Sequence, residues 1–229
     1  MQPYFFPYIG YFQLMRAADV FVSYDDVQYI NRGWVNRNLI SLGQHSHWLT
    51  MPVAQASRDL EIRHRRYWLE NDSVAGVKRK LVAAYKNAPA FREVFPIVEE
   101  ALASPDDQVA AFNTRLLAIL ASQLGLACKI ILSSDLPKAP GLRGQDKVLE
   151  ICSHLGATRY INPIGGRSLY AASNFAARGI ELSFIQSRTP PTMLADVPHH
   201  LSIIHHLMTF GVAGTVRLLD DFDQIPPEP

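Results

Sequence analysis

Residues 1–37 read MQPYFFPYIGYFQLMRAADVFVSYDDVQYINRGWVNR. Within this stretch an apolar run at residues 20–22, Val-Phe-Val, is followed closely by two adjacent acids, Asp25 and Asp26. A β-branched and aromatic run of this kind predicts a buried strand. Open α/β sheets bind their ligands at the carboxyl ends of their strands, so we expect the two acids to lie at a site.

Polar and aromatic side chains crowd around this strand more densely than a packed core requires. The candidate binding residues are Gln2, Tyr4, Tyr11, Gln28, Arg32, Trp34, Asn36 and Arg37. Convergent polar groups on a rigid element are the usual anatomy of a small-molecule pocket. The alternative is that the two acids only form a turn and that Trp34 covers the core. The density of polar groups favours the pocket.

Beyond this stretch, strand and helix patterns alternate. Strands are expected at residues 129–132, 158–161 and 180–185, and helices at residues 146–155 and 168–177. Such alternation favours an α/β fold with a mostly parallel or mixed, Rossmann-like sheet covered by helices. A length of 229 residues suits a single α/β domain over residues 1–229.

Two segments interrupt the alternation. Residues 38–53 predict a hairpin around Gly43, with Trp48 folded toward the two acids. Residues 71–124 have helical spacing and form a predicted helical insertion, with Asn71 as a cap candidate and Pro105 in a break between helices.

Charge and composition narrow the class of protein. A net charge of +1 gives no general attraction to nucleic acid, and no apolar run is long enough for a membrane helix, so we expect neither nucleic-acid binding nor membrane insertion. The two cysteines have no metal-ligand spacing, so no metal is expected and a cytoplasmic location is predicted. One basic cluster, residues 58–66, predicts a solvated face; the alternative is a docking patch for a carrier protein or a sugar nucleotide.

The candidate catalytic residues are Asp26, Asp25 and His205. Side chains alternate along a strand, so one acid is expected to face the pocket, and Asp26 is the preferred one. A carboxylate near an amine can accept its proton during attack; hydrogen bonding to sugar hydroxyls is the rival role. Arg32 and Arg37 offer forks for a carboxylate or phosphate, although at least one is expected to pair with an acid.

A second group of candidates lies late in the chain. Asn162, Gly165 and Gly166 link a predicted strand to a predicted helix, where glycine lets the backbone approach an anion; a plain tight turn is the alternative. We expect these glycines, the two acids and the two arginines to line a common cavity.

Residues 1–38 resemble the opening signature of the WbqC-like family, bacterial proteins associated with O-antigen and other surface-polysaccharide gene clusters. The segments HWLTMPV, LGATRYINPIGG and LSIIHHLM, at residues 47–53, 155–166 and 201–208, fall where that family has its other recurrent segments. The resemblance implies transfer of glycine or a related acyl group onto a sugar amine.

The function expected on these grounds is an acyl or aminoacyl transferase that forms an amide on an amino-sugar nucleotide. No cofactor is identified; a carrier-bound acyl thioester is the expected co-substrate, with an acyl carrier protein as partner. The alternatives are a non-catalytic sugar- or nucleotide-binding module of a polysaccharide assembly complex and, less favoured, a nucleotidyl-transfer enzyme.

Two features depart from the family pattern. His205 stands where the family is expected to carry an acid, which puts a family role of that position in doubt. Met1 directly precedes Gln2 at a point where relatives carry a short apolar strand, so the expectation is that this start lacks the strand or is truncated upstream.

Overall fold

The chain enters its fold through helix α1 (Ile9–Arg16) and strand β1 (Val20–Ser23). The computed structural model describes residues 1–70, 72–104, 106–190, 192–193 and 198–227; Asn71 and Pro105 lie outside them. Residues 9–15 of α1 are all buried, which is typical of a helix that packs on every face. Helix α1 therefore belongs to the core that supports β1.

The predicted hairpin is confirmed. Strands β2 (Arg37–Leu42) and β3 (His45–Thr50) pair in the antiparallel direction, from Arg37 opposite Thr50 to Leu42 opposite His45. The turn between them begins at Gly43, whose φ of 65° suits glycine. Three helices follow, which account for the predicted helical segment: α2 (Ser73–Tyr85), α3 (Phe91–Leu102) and α4 (Val109–Gln123).

The α/β alternation resumes after α4. The elements are β4 (Lys129–Leu132), α5 (Gly144–His154), β5 (Arg159–Pro163), α6 (Ala172–Ala176), β6 (Glu181–Ser187), β7 (Thr192–Met193), β8 (Pro198–His199), α7 (Ile203–Arg217) and β9 (Phe222–Ile225). Strand β1 pairs in parallel with β4, β5 pairs in parallel with β6, and β9 joins β6 in the antiparallel direction. The predicted α/β fold with parallel and mixed pairing is confirmed.

Strand β1 has a further neighbour at the start of the chain. The Met1 amine donates a hydrogen bond to the Val22 carbonyl over 2.9 Å, and the Tyr24 amide donates to the Met1 carbonyl over 2.7 Å. This is the hydrogen-bond pattern of parallel strands. Met1 therefore extends the pairing of β1 on the edge away from β4.

The helix predicted at residues 168–177 is wrong in its first half. A 3-10 helix (Ile164–Leu169) contains the two glycines, and α6 begins only at Ala172. Between them Tyr170 is extended, with φ of −132° and ψ of 130°, and the Gln145 side chain accepts a hydrogen bond from the Ala171 amide. These contacts replace helical hydrogen bonds at residues 170–171.

The buried apolar side chains form two groups. The larger group lies around α1, the hairpin, and helices α2, α3, α4 and α7, and includes Phe5, Phe12 and Phe112. A smaller group around Phe175 and Phe184 lies against β5 and β6. Across the described ranges, no helix has both the length and the apolar character that crossing a membrane requires.

Candidate functional site

Asp25 follows the end of β1 and forms hydrogen bonds with two other segments of the chain, at Ser134 and at Arg63. Its carboxylate is 1% exposed and accepts hydrogen bonds from the Ser134 amide over 2.9 Å and from the Ser134 hydroxyl over 2.7 Å. Its carbonyl accepts a hydrogen bond from the Arg63 amide. Because β1 and β4 are parallel, Asp25 and Ser134 follow their carboxyl ends and meet at one edge.

Asp26 pairs with two lysines, of which Lys147 is buried and Lys138 is partly buried. Lys147 Nζ lies 2.9 Å from Asp26 Oδ1, and Lys138 Nζ lies 3.2 Å from Oδ2. Asp26 is 8% exposed. Burial raises the pKa of this carboxyl, but interactions with Lys147, Ser133 and Lys138 lower it further than burial raises it, so the pKa lies below its usual value. We call Asp26, Lys138 and Lys147 the acid–lysine cluster.

Backbone and aromatic groups hold the lysines in place. Lys147 Nζ also donates to the Asp26 carbonyl over 2.7 Å and lies 4.7 Å from the centre of the Tyr24 ring. Lys138 Nζ also donates to the carbonyls of Ser133 and Leu136. Both ammonium groups therefore have fixed positions beside the carboxylate.

The late candidates lie near this cluster. Burial raises the pKa of the Tyr24 hydroxyl, and the charges of Asp26 and Tyr170 raise it further, so both groups lie close enough to Tyr24 to affect it. Tyr170 accepts a hydrogen bond from the Tyr160 hydroxyl over 3.0 Å. The Asn162 amide donates to the Tyr160 hydroxyl over 2.7 Å, so Asn162 belongs to the same polar group.

The two glycines play different structural parts. A Cβ on Gly166 would collide with Asn162 Oδ1, so glycine at this position admits the Asn162 side chain. Nothing lies within 4 Å of the position of a Cβ on Gly165. The 3-10 geometry of this segment favours the plain turn over an anion cradle at a helix start.

The arginines line a separate cavity. Its volume is about 600 Å³, and its lining consists of Tyr29, Asn31, Arg32, Asn36, Arg37, Thr50, Val53, Arg58 and Arg65. Asp25, Asp26, Gly165 and Gly166 are absent from this lining. The expectation of one common cavity is therefore wrong, because the arginines line a cavity together with hairpin residues, whereas the acids contact Ser134, Lys138 and Lys147. We call this the arginine cavity.

Two further expectations about arginines are wrong. Among the described residues neither Arg32 nor Arg37 forms an ion pair with an acid, because the lysines take that place beside Asp26. Arg65, predicted to lie on a solvated face, is only 6% exposed.

The aromatic candidates of the first 37 residues divide between surface and core. Trp34 and Trp48 have ring centres 5.4 Å apart, and the Arg37 guanidinium lies 3.9 Å from the Trp48 ring. Trp48 thus lies beside the arginine cavity and not beside the acids as expected. Tyr11 is fully buried and donates its hydroxyl proton to the Gln2 carbonyl over 2.6 Å, and Tyr4 lies against Tyr11.

The remaining candidates lie at the edges of these groups. The Gln28 amide donates to the Arg58 carbonyl over 3.2 Å, next to the arginine cavity. His205 Nδ1 lies 3.4 Å from the Tyr85 hydroxyl, and burial lowers the pKa of this histidine. His205 makes no hydrogen bond or ion pair with either acid among the described residues, so the structure does not bring it to the acid–lysine cluster.

Sequence reasoning missed the partners of Asp26. Lys138 lies in the loop after β4, and Lys147 lies in the first half of α5. The available signal was topological, because a strand that pairs in parallel with β1 delivers the loop after it to the same edge. Within the described ranges no group of three or more His, Cys, Asp or Glu side chains is arranged to hold a metal ion.

Comparison with known proteins gives a family and a distant relative. The model of the WbqC-like protein family matches residues 2–216. An uncharacterized protein of Mycobacterium tuberculosis, Rv1507c, is 30% identical over 169 residues, which cover 73% of this chain and 72% of that protein. No solved structure matches this chain.

Proposed function

This chain belongs to the WbqC-like protein family, and from that membership we propose that it is an acyl or aminoacyl transferase acting on an amino-sugar nucleotide in surface-polysaccharide biosynthesis. The observation that supports the proposal most is the acid–lysine cluster. A buried carboxylate between two ammonium groups lies at the carboxyl ends of parallel β1 and β4. Such edges are where open α/β sheets bind ligands.

The two lysines suit an amine acceptor. The carboxylate of Asp26 offsets one of the two ammonium charges, so the acid–lysine cluster has a net charge of +1. A net positive charge close to a second amine lowers the pKa of that amine, so an amino sugar beside the cluster loses its proton more easily than in water. The acceptor then reaches the site as the neutral amine, which is the nucleophilic form. This gives the lysines a part in the reaction beyond their pairing with Asp26.

The transfer itself requires one proton acceptor. The amine nitrogen attacks the thioester carbonyl carbon, the new C–N bond forms, and the C–S bond breaks with the electron pair leaving on the thiolate. The nitrogen becomes strongly acidic as the C–N bond forms, so even a carboxylate of lowered pKa can accept its extra proton. Asp26 is the proposed acceptor, and the product is an amide.

The acyl group must come from outside the chain. Burial raises the pKa of the Cys152 thiol to about 11 and also raises the pKa of Cys128. Thiols with raised pKa values are poor nucleophiles at neutral pH because little thiolate is present. The proposed donor is therefore a thioester held by an acyl carrier protein.

Mass spectrometry of reaction mixtures tests the proposal. The protein is incubated with amino-sugar nucleotides and acyl- or glycyl-loaded carrier protein, and we expect an amide product. Asp26→Asn lowers the rate by at least about 100-fold, as loss of a proton acceptor typically does. Asp19→Asn, an exposed acid at the opposite end of β1, leaves the rate unchanged. Absence of product with every donor and acceptor, from folded protein, would refute the proposal.

A non-catalytic binding module is the second candidate. It is favoured by one observation, the separation of the arginine cavity from the acid–lysine cluster, because a cavity can bind an anion without any reacting group. This function predicts tight binding of a sugar nucleotide, no product from this protein, and no change in binding for Asp26→Asn.

A further inference from the structure

We infer that the arginine cavity binds the diphosphate group of a sugar nucleotide and thereby directs the sugar amine to Asp26. The inference rests on the proposed function for the identity of the sugar, whereas the anion site stands on its own contacts. A diphosphate is recognised by forked guanidinium groups, which donate parallel hydrogen bonds to its oxygens.

The charge of the cavity is uniformly positive. Four guanidinium groups line it, from Arg32, Arg37, Arg58 and Arg65, and the lining contains no carboxylate. Within the described parts of the chain, no acid lies close enough to pair with any of the four. Their charge is therefore free to be neutralised by a ligand, and a diphosphate supplies two or three negative charges in one group.

Arg65 is the observation that points most directly to an anion. It is 6% exposed, and its Nε has no hydrogen-bond partner in the described structure. Its two terminal nitrogens donate to the carbonyls of Ser57 and Ala54, which hold the group at the cavity but carry no compensating charge. A buried cation without a counter-ion is costly, and an anion in the cavity removes that cost.

The cavity wall is rigid. The Tyr29 hydroxyl donates to Asn36 Oδ1 over 2.8 Å, and the Asn36 amide donates to the Met51 carbonyl over 2.9 Å. Arg65 stacks on the Tyr29 ring at 4.8 Å. Arg32 has a positive φ of 60°, a conformation that costs free energy in a non-glycine residue and is frequent at ligand sites.

Size favours a nucleotide over a simple ion. A volume of about 600 Å³ falls in the range of pockets for small organic ligands and exceeds what inorganic phosphate fills. Trp34 and Trp48 are 40% and 38% exposed beside Arg37, and exposed aromatic faces of this kind stack on bases or sugars. The two tryptophans thus offer a stacking surface at one end of a bound diphosphate.

The distance to Asp26 also fits. Residues 25–29 are joined to residues 60–63 by backbone hydrogen bonds, which the Arg63, Ile62 and Tyr29 amides donate to the carbonyls of Asp25, Val27 and Leu60. Asp26 and Tyr29 are three positions apart in the chain, so their Cα atoms lie at most about 11 Å apart. A sugar attached to a diphosphate can extend over that length.

Calorimetric titration with inorganic pyrophosphate tests the inference. We expect wild-type protein to bind pyrophosphate, and UDP at least as tightly. Arg58→Gln and Arg32→Gln, at exposed positions that should not disturb folding, each weaken binding roughly 10- to 100-fold. Arg92→Gln, an exposed arginine on α3, is the matched control and leaves binding unchanged. The phosphate of a carrier's prosthetic group is the other source of such an anion, and 4′-phosphopantetheine should bind more weakly than UDP.

Each outcome decides one question. No binding of pyrophosphate or UDP, equal binding by the Arg58 and Arg32 variants, or tighter binding of phosphopantetheine than UDP overturns the inference. Arginine-dependent binding without any amide product leaves the anion site in place and removes the proposed reaction. Amide formation on a free amino sugar, by protein that does not bind pyrophosphate, supports the proposed reaction and removes the anion site.

Discussion

Asp26 combines two properties that ordinarily oppose each other, burial and full ionisation. It is 8% exposed, yet two ammonium groups within 3.2 Å keep it charged. Burial of a charged pair or triad adds little net stability, but removal of one partner leaves the others uncompensated. The side chain is therefore expected to matter for stability as well as for the proposed reaction.

Replacing Asp26 by asparagine should lower the free energy of unfolding by about 3–5 kcal/mol, because buried Lys147 and partly buried Lys138 are left without a counter-charge. Asp19→Asn, at an exposed position, should change it by no more than about 0.5 kcal/mol. Urea denaturation at neutral pH measures both. Equal stabilities of the two variants would show that the acid–lysine cluster is not held in the folded protein.

The same carboxylate predicts a pH dependence. Its pKa is lower in the folded than in the unfolded chain, so between the two values the unfolded chain binds more protons. The stabilisation is complete at pH values above the pKa of Asp26 in the unfolded chain, and it is lost as the pH falls through the pKa in the folded chain. The stability gap between wild type and Asp26→Asn should narrow in strong acid, and a gap constant with pH would contradict the lowered pKa.

His206 should control stability at milder acidity. Burial lowers its pKa to about 4, helped by the charges of His205 and His200, whereas an unfolded histidine titrates near 6.5. Stability is then complete above pH 6.5 and falls between about pH 6.5 and 4, by on the order of 3 kcal/mol. His206→Leu should flatten this part of a urea-midpoint profile, and His154→Gln, at an exposed position, should not. A profile unchanged by His206→Leu would contradict the assignment.

At the scale of elements, α7 contains a break that the helical pattern conceals. Gly211 has φ of 70° and ψ of 178°, and the Glu93 carboxylate accepts a hydrogen bond from the next amide, that of Val212, over 3.2 Å. Glu93 of α3 thus caps the second half of α7. A Cβ on Gly211 would lie 2.7 Å from Glu93 Oε2.

Two glycine substitutions should have opposite effects. Gly211→Ala is expected to destabilise the protein by about 2–3 kcal/mol, because alanine rarely adopts this backbone conformation and its Cβ would displace Glu93. Gly76→Ala, in the regular helix α2 with only Arg79 within 4 Å, is expected to stabilise it by about 0.5–1 kcal/mol. Denaturant unfolding of both variants checks the pair, and a neutral Gly211→Ala would contradict the break.

Local sequence patterns were sufficient to predict the elements whose conformation depends on residues adjacent in the chain. The apolar run of β1, the hairpin turn at Gly43 and the helical spacing of α2 to α4 each predicted what the structure contains. Strand β9 was not predicted, because its residues Asp223 and Gln224 are charged and polar and lack the apolar pattern of a buried strand. It pairs with β6 at the edge of the sheet. The predicted helix is interrupted at Tyr170, because Tyr170 and Ala171 form hydrogen bonds with Tyr160 and Gln145, which a local pattern does not reveal.

The site was predictable in part for the same reason. The sequence placed Asp25 and Asp26 at the end of a strand, since that depends on adjacent residues. It could not supply Lys147, which lies 121 residues away, or distinguish buried Arg65 from its exposed neighbours in one basic run. The long-range pairing of β1 with β4 determines the position of Lys147 beside Asp26, and packing on Tyr29 determines the burial of Arg65.

At the scale of the whole molecule, two polar regions are joined by one short segment, residues 25–29. The acid–lysine cluster is built by strands β1 and β4 and helix α5, and the arginine cavity by the hairpin and residues 58–65. Residues 25–29 connect the two regions through their pairing with residues 60–63. We propose that one ligand, with an anionic end and an amine end, contacts both regions.

A crystal structure with a bound UDP-linked amino sugar tests this arrangement most directly. We expect the diphosphate to lie against Arg32, Arg58 and Arg65, and the sugar amine to lie within about 3 Å of the Asp26 carboxylate. A diphosphate bound elsewhere, or an amine that points away from Asp26 into solvent, would contradict it.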